Sequence, residues 1–200
     1  MNKHETLNMN HETLGNELLS PHFCLREFTE SATAREHGIN NTPSEEAVEN
    51  LRALCVHTLE PLREALGLPI VITSGFRTKA LNDLLAHASE RSQHMAGQAA
   101  DFYVGEGPVS GSMIQDSSDL KHETGESSLK LETPRQRLIR AFRLIITSEQ
   151  IDYDQLILYP TFIHVSYVSR ERNRRGILLA RSDGKLGYGR ITRANALKIS

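Results

Sequence analysis

The chain has little of what several functional classes require. Its 200 residues include only two cysteines, Cys24 and Cys55, at no metal-ligand spacing. Cys55 falls on the apolar face of a predicted helix, so both read as small core residues rather than as a disulfide or a nucleophile. Charge of one sign is also lacking. A net charge of −2 leaves no electrostatic footprint for nucleic acid or an anionic membrane. No apolar run is long enough to span a bilayer. The segment from Met1 to Asn16 is polar and has no apolar core of a signal peptide. The expectation is synthesis in the cytoplasm, with any action on the cell wall or periplasm following release, and a monomer.

What is present fits one domain with tails. The start carries His4-Glu5-Thr6-Leu7 and again His11-Glu12-Thr13-Leu14, a short duplication with no apolar period, and residues 1–18 are expected to be a flexible tail. From Leu19, Phe23, Leu25 and Phe28 suggest an arm packed on the domain. Thr42-Pro43-Ser44-Glu45 predicts a helix start, with Thr42 as cap and Pro43 in the first turn. Val48, Leu51, Cys55, Leu59, Leu62 and Leu66 continue at helical spacing to Gly67, and Pro61 predicts a kink or two abutting helices. His57 lies off this stripe and is expected at the surface. Leu68 to Gly75 reads as a strand, and Lys79 to Ala88 as a helix with Leu81, Leu84 and Leu85 inward and His87 facing solvent.

Residues 105–132 are rich in Gly, Ser, Asp, Glu and Lys and are expected to be a flexible insertion. Thr133 to Gln136 repeats the capping pattern and opens a helix with Leu138, Phe142 and Ile145 in its stripe, extended by Ile139 and Ile146. Gln155 to Leu158 and Phe162 to Val168 form a predicted hairpin about Tyr159-Pro160-Thr161. Arg170 to Arg175 is a basic cluster, read as a solvated face or as attraction to an anionic wall polymer. Residues 177–200 read as a C-terminal hairpin and tail, with Asp183-Gly184 at the turn.

The chemistry concentrates in Ser92-Gln93-His94-Met95-Ala96-Gly97-Gln98-Ala99-Ala100-Asp101. On a continuous helix, seven positions would separate His94 and Asp101 by about 10 Å, whereas two donors sharing one metal must each reach it at about 2 Å. The pair therefore works only if the chain turns between them, which Gly97 permits, with Ala99 to Val104 following as a buried strand. A third donor is available in Phe162 to Val168. Alternation places His164 and Ser166 on one face, opposite Ile163, Val165 and Tyr167. Two histidines and one aspartate leave a fourth position for water, the pattern of a catalytic zinc.

The segment Ser92 to Asp101, the His-Val-Ser around His164, and Ser74-Gly75-Phe76-Arg77-Thr78 with Leu81-Asn82 together resemble the zinc D-Ala-D-Ala carboxypeptidases, relatives of lysostaphin-type and hedgehog-type domains. The resemblance runs from about Leu19 to Tyr167 with an insertion, and residues 19–176 form the expected domain. It implies an α+β fold with a small, mostly antiparallel sheet and helices on one face. It also implies one zinc on His94, Asp101 and His164, and hydrolysis of peptidoglycan stem peptides as a carboxypeptidase or a phage-lysin-like endopeptidase.

Arg77 matches the family arginine that holds the substrate's terminal carboxylate, a task suited to a bidentate guanidinium; a structural ion pair is the alternative. Ser92 is a candidate for hydrogen bonding to substrate, and Gln93 for binding substrate or steadying a ligand. Tyr159 is placed to put a phenol near a developing oxyanion. The family's catalytic carboxylate, three residues before the last histidine, is Thr161 here. This departure supports the alternative of a catalytically weak or inactive zinc domain that binds wall peptide.

Overall fold

The computed structural model describes residues 17–86, 88–107, 132–180 and 187–200. The proposed tail up to Asn16, His87, most of the insertion and the Asp183-Gly184 turn lie outside the described residues. The fold is α+β: a two-stranded antiparallel sheet and a six-stranded mixed sheet with helices.

The N-terminal arm is built from β1 (Leu18–Ser20), β2 (Phe23–Cys24) and α1 (Leu25–Thr29), followed by α2 (Ala32–Glu36). As expected, Phe23, Leu25 and Phe28 are buried. The next helix, α3 (Glu45–Leu54), starts two residues later than the Thr42 reading. Ser44 is the cap and its hydroxyl accepts from Ala47 N, while Thr42 bonds Asn40 instead. Helix α4 (Glu60–Leu66) ends at left-handed Gly67.

Between them Cys55–Leu59 widens to a π-turn, which is how the chain absorbs Pro61. Proline has no N–H to offer the carbonyl of His57, four residues back. That carbonyl accepts from Asp152 N at 3.0 Å instead, and the Thr58 hydroxyl donates to Asp152 O at 2.5 Å. The helix break thus pins the segment entering the strand Gln155–Leu158. His57 is half-buried rather than a free surface group and stacks on Tyr167.

The main sheet has the order β3 (Ile70–Ser74), β4 (Ala99–Val104), β6 (Ile163–Ser166), β5 (Gln155–Leu158), β7 (Gly176–Ala180) and β8 (Tyr188–Arg190). All neighbours are antiparallel except β5 and β7, so the C-terminal hairpin is part of this sheet. Ala100, Phe102, Val104, Leu156, Leu158, Ile163 and Val165 face a core shared with Leu51, Leu54, Leu59, Leu62, and Phe142 and Ile145 of α6 (Pro134–Thr147). Helix α6 begins with the expected capping box of Thr133 and Gln136. Its Arg137 donates to Val104 O and Glu132 O, joining the chain on both sides of residues 108–131. Helix α5 (Lys79–Leu84) is shorter than expected and leaves Leu84 exposed, with Asn82 buried and bonded to Ser89 O. A final helix, α7 (Arg193–Ala196), follows β8.

Two glycines are required by close approach. A Cβ on Gly75 would stand 2.5 Å from Phe28 Cα, and one on Gly97 (φ +69°) would stand 2.3 Å from Ala47 O. Gly38 has a similar φ of +62° but open space around it. Gly38→Ala should therefore cost only backbone strain, roughly 1–2 kcal/mol. Gly97→Ala should cost roughly twice that or more, because α3 must also move. Urea denaturation of the two variants checks this, and equal midpoints would contradict it.

Candidate metal centre

The turn predicted at Gly97 forms. Gln93–Ala96 makes a single 3₁₀ turn, Gly97 reverses the chain in the left-handed region, and β4 follows. Asp101 sits on β4 directly across from His164 on β6. Both side chains face away from the apolar core, as alternation requires. His94 comes from the 3₁₀ turn and is buried. Its ring is oriented by the Ser74–Thr78 segment: Nδ1 donates to Gly75 O at 2.6 Å, while Arg77 N donates to His94 O at 3.2 Å. Asn41 steadies the same segment through Phe76 O and Thr78 N.

With Nδ1 engaged, His94 presents Nε2 to the cluster. Nε2 lies 3.2 Å from His164 Nδ1 and 3.4 Å from Asp101 Oδ1, and His164 Nδ1 lies 2.8 Å from Asp101 Oδ1. Donors about 2.0–2.2 Å from a tetrahedral zinc stand about 3.3–3.6 Å apart, so two edges of this triangle are close to that spacing and the third is shorter. Among the described residues this is the group of three that can hold a metal. Burial drives the His94 imidazole down, toward its neutral, ligating form. Burial works to raise Asp101, but contact with His94 and His164 outweighs it and holds the carboxyl well below the usual range. The donor set, two imidazoles with one carboxylate, suits zinc.

The cluster opens into a cleft of about 770 Å³ that is also lined by Arg77, Ser92, Gln93 and Tyr159, so the structure brings the proposed site residues together. Arg77 is half-buried, forms no ion pair among the described residues, and its Nε has no hydrogen-bond partner. Tyr159 stacks on Phe162 with centroids 4.2 Å apart. Burial and the nearby Asp101 charge raise its phenol, which keeps the proton and remains a donor. Thr161 lies elsewhere. It lines a second cleft with Pro69, Tyr103 and Leu138, from the exposed bend that precedes β6 rather than from the strand itself.

A model of the Peptidase M15 family matches residues 21–127, over half of the chain. The chain belongs to the Peptidase M15 family. The match includes Arg77, His94 and Asp101 and ends before His164, which the β4–β6 register brings to the other two. No curated protein matches the chain. Family membership makes peptide-bond hydrolysis the activity class, and M15 peptidases are typically zinc-dependent.

Sequence reasoning missed one network. Asp154, buried, accepts from Arg174 N at 2.7 Å and Nε at 2.9 Å, from Arg174 Nη2, and from Gln93 Nε2 at 3.0 Å; Arg174 Nη2 also donates to Gln93 Oε1. Asp152, also buried, pairs with Arg170 and Arg175. Three arginines of the basic cluster are therefore neither a plain solvated face nor free to attract a polymer: they clasp two buried carboxylates. The signal lay in the hairpin itself, since antiparallel pairing of Leu156 with Val165 carries residues 152–154 toward 167–170. Gln93, with both ends of its amide engaged, braces the turn that carries His94.

Burial works to raise Asp154, but hydrogen bonds from Arg174 and Gln93 outweigh it and the net shift is downward. A depressed carboxyl contributes stability above the unfolded-state value, near 3.9, and loses it as pH falls. Asp154→Asn should cost on the order of 1.5–3 kcal/mol at neutral pH, as for hydrogen bonds to a charged group. The gap from wild type should be narrower at about pH 3 than at neutral pH, because the stability contributed by a depressed carboxyl begins to be lost once pH falls below the unfolded-state value. Urea titrations at both pH values test this, and a gap that widens in acid would contradict it.

Proposed function

We propose that the protein is a zinc metallopeptidase of the D-Ala-D-Ala carboxypeptidase type that cleaves peptidoglycan stem peptides, either at the terminal bond or within the stem as a lysin-like endopeptidase. The observation that carries this reading is a metal-competent His94–Asp101–His164 triangle in one cleft with a half-buried arginine that forms no ion pair among the described residues. When bound there, zinc supplies Lewis acidity toward a carbonyl oxygen and a water acidified toward neutrality. The chain supplies the rest. Arg77 grips the substrate's carboxylate in a bidentate fork. The protonated Tyr159 phenol donates to the oxygen that gains charge. Ser92 offers a hydroxyl at the cleft wall, and Gly75 O fixes the His94 ring by accepting from its Nδ1. Residues 19–176 hold all of these groups.

A second reading, a zinc domain that binds wall peptide with little or no turnover, is favoured by a specific observation. Thr161 lines the other cleft, and Asp154, the one carboxylate besides Asp101 among the described cleft-lining residues, is held by Arg174. A general base is typically worth about 10²–10⁴ in rate, so its absence separates the readings. Purified, zinc-loaded protein is incubated with muropeptides and the products are weighed by mass spectrometry. Loss of a terminal alanine or an internal cut supports a peptidase, and unchanged masses support the binding domain. Arg77→Lys should reduce cleavage of peptides ending in a free acid about tenfold or more, as bidentate geometry is lost, with little effect on C-terminal amides. Equal losses on both would assign Arg77 to structure.

A further inference from the structure

The described residues lining the cleft include four arginines, Arg77, Arg91, Arg172 and Arg174, against two carboxylates, Asp101 and Asp154. Asp101 belongs to the metal cluster and Asp154 is neutralised by Arg174. The wall is therefore cationic in a chain whose net charge is −2. Arg77 answers for one substrate carboxylate. Arg91 and Arg172 remain, and Arg172 is the one on the chain that enters β7; it has no carboxylate within ion-pair distance among the described residues, its Nε reaching only Ser169 Oγ at 3.5 Å.

Arg172 is also presented from a fixed turn. Its backbone N donates to Ser169 O at 3.2 Å, Asn173 Oδ1 accepts from Val168 N at 2.9 Å, and Arg174 is locked onto buried Asp154. The strand order sets Arg77, just past β3, and Arg172, just before β7, on opposite sides of β4, β6 and β5. The metal donors on β4 and β6 lie between the two cations.

We infer that Arg172 forms a second anion subsite of this cleft, one that reads a carboxylate on the acyl side of the scissile bond. The substrate class is then an acidic peptide with two carboxylates, one at the leaving-group end on Arg77 and one upstream on Arg172. This rests on the reading of the cleft as a peptidase site. From the β4–β6 seam to β7 is about two and a half strand spacings, roughly 12 Å. An extended peptide covers that in about three to four residues, and the reach of the arginine side chain shortens it. The second carboxylate therefore sits within about three residues upstream of the bond that is cut.

The test uses two synthetic stem-like peptides with a free C-terminus that differ only upstream, one with a free carboxylate and one with the primary amide. Affinity is measured by calorimetry on the full chain in chelator, so that turnover does not intrude, and cleavage is followed separately with zinc. Wild type should bind the acid about fivefold more tightly than the amide, the scale of a solvent-accessible ion pair. Arg172→Gln should remove the preference while leaving the urea midpoint in place. Equal affinities in wild type, binding of neither peptide, or a preference that survives in Arg172→Gln would overturn the subsite. A preference for the acid with no cleavage of either peptide would uphold the subsite and remove the peptidase reading. Cleavage without preference would do the reverse.

Discussion

The structure depends on one pairing, Asp101 of β4 directly opposite Ile163's neighbour His164 on β6. A one-residue slip in that register would turn one of these side chains into the apolar core and the other toward the cleft. The register is held by what lies on the opposite face, where Ala100, Phe102, Ile163 and Val165 are fully buried. Packing on the helical side therefore fixes geometry on the polar side. The third donor, His94, comes from outside the sheet, and its position rests on Gly97 turning against α3 and on the Gly75 carbonyl holding its ring.

The same economy of contact appears around the cleft. Phe28 of the N-terminal arm accepts from Phe76 N, and only glycine at position 75 lets the two segments approach. That contact sets the carbonyl that orients His94 and the loop that carries Arg77. On the far side, the helix break at Pro61 leaves the His57 carbonyl to Asp152, which in turn anchors Arg170 and Arg175. Distant elements thus converge on the loops that line the cleft, while the charges of Asp152 and Asp154 are spent on holding those loops.

Much of this was legible in the sequence. The spacing of His94, Gly97 and Asp101 demanded a turn followed by a strand, and alternation about His164 assigned its face; both follow from local geometry. The capping pattern at Thr133 and the stripe of Leu138, Phe142 and Ile145 located α6. What escaped was in part a local competition and in part non-local. The cap shifted from Thr42 to Ser44 because Asn40 engages Thr42. Leu84 is exposed because α5 stops at that residue. The arginine cluster looked like a solvated run because its partners lie about twenty positions earlier, across a hairpin. Thr161 was aligned by motif spacing to the metal cleft, but it lies in the bend before β6 and lines the other one.

We propose that one metal is held by His94 Nε2, His164 Nδ1 and Asp101 Oδ1, and anomalous diffraction at the zinc edge from crystals grown with zinc is the test. A single strong peak is expected within about 2.0–2.2 Å of those three atoms, with a fourth position open to solvent. A peak coordinated by a different set of side chains, or zinc-grown crystals with no peak between these three residues, would contradict it.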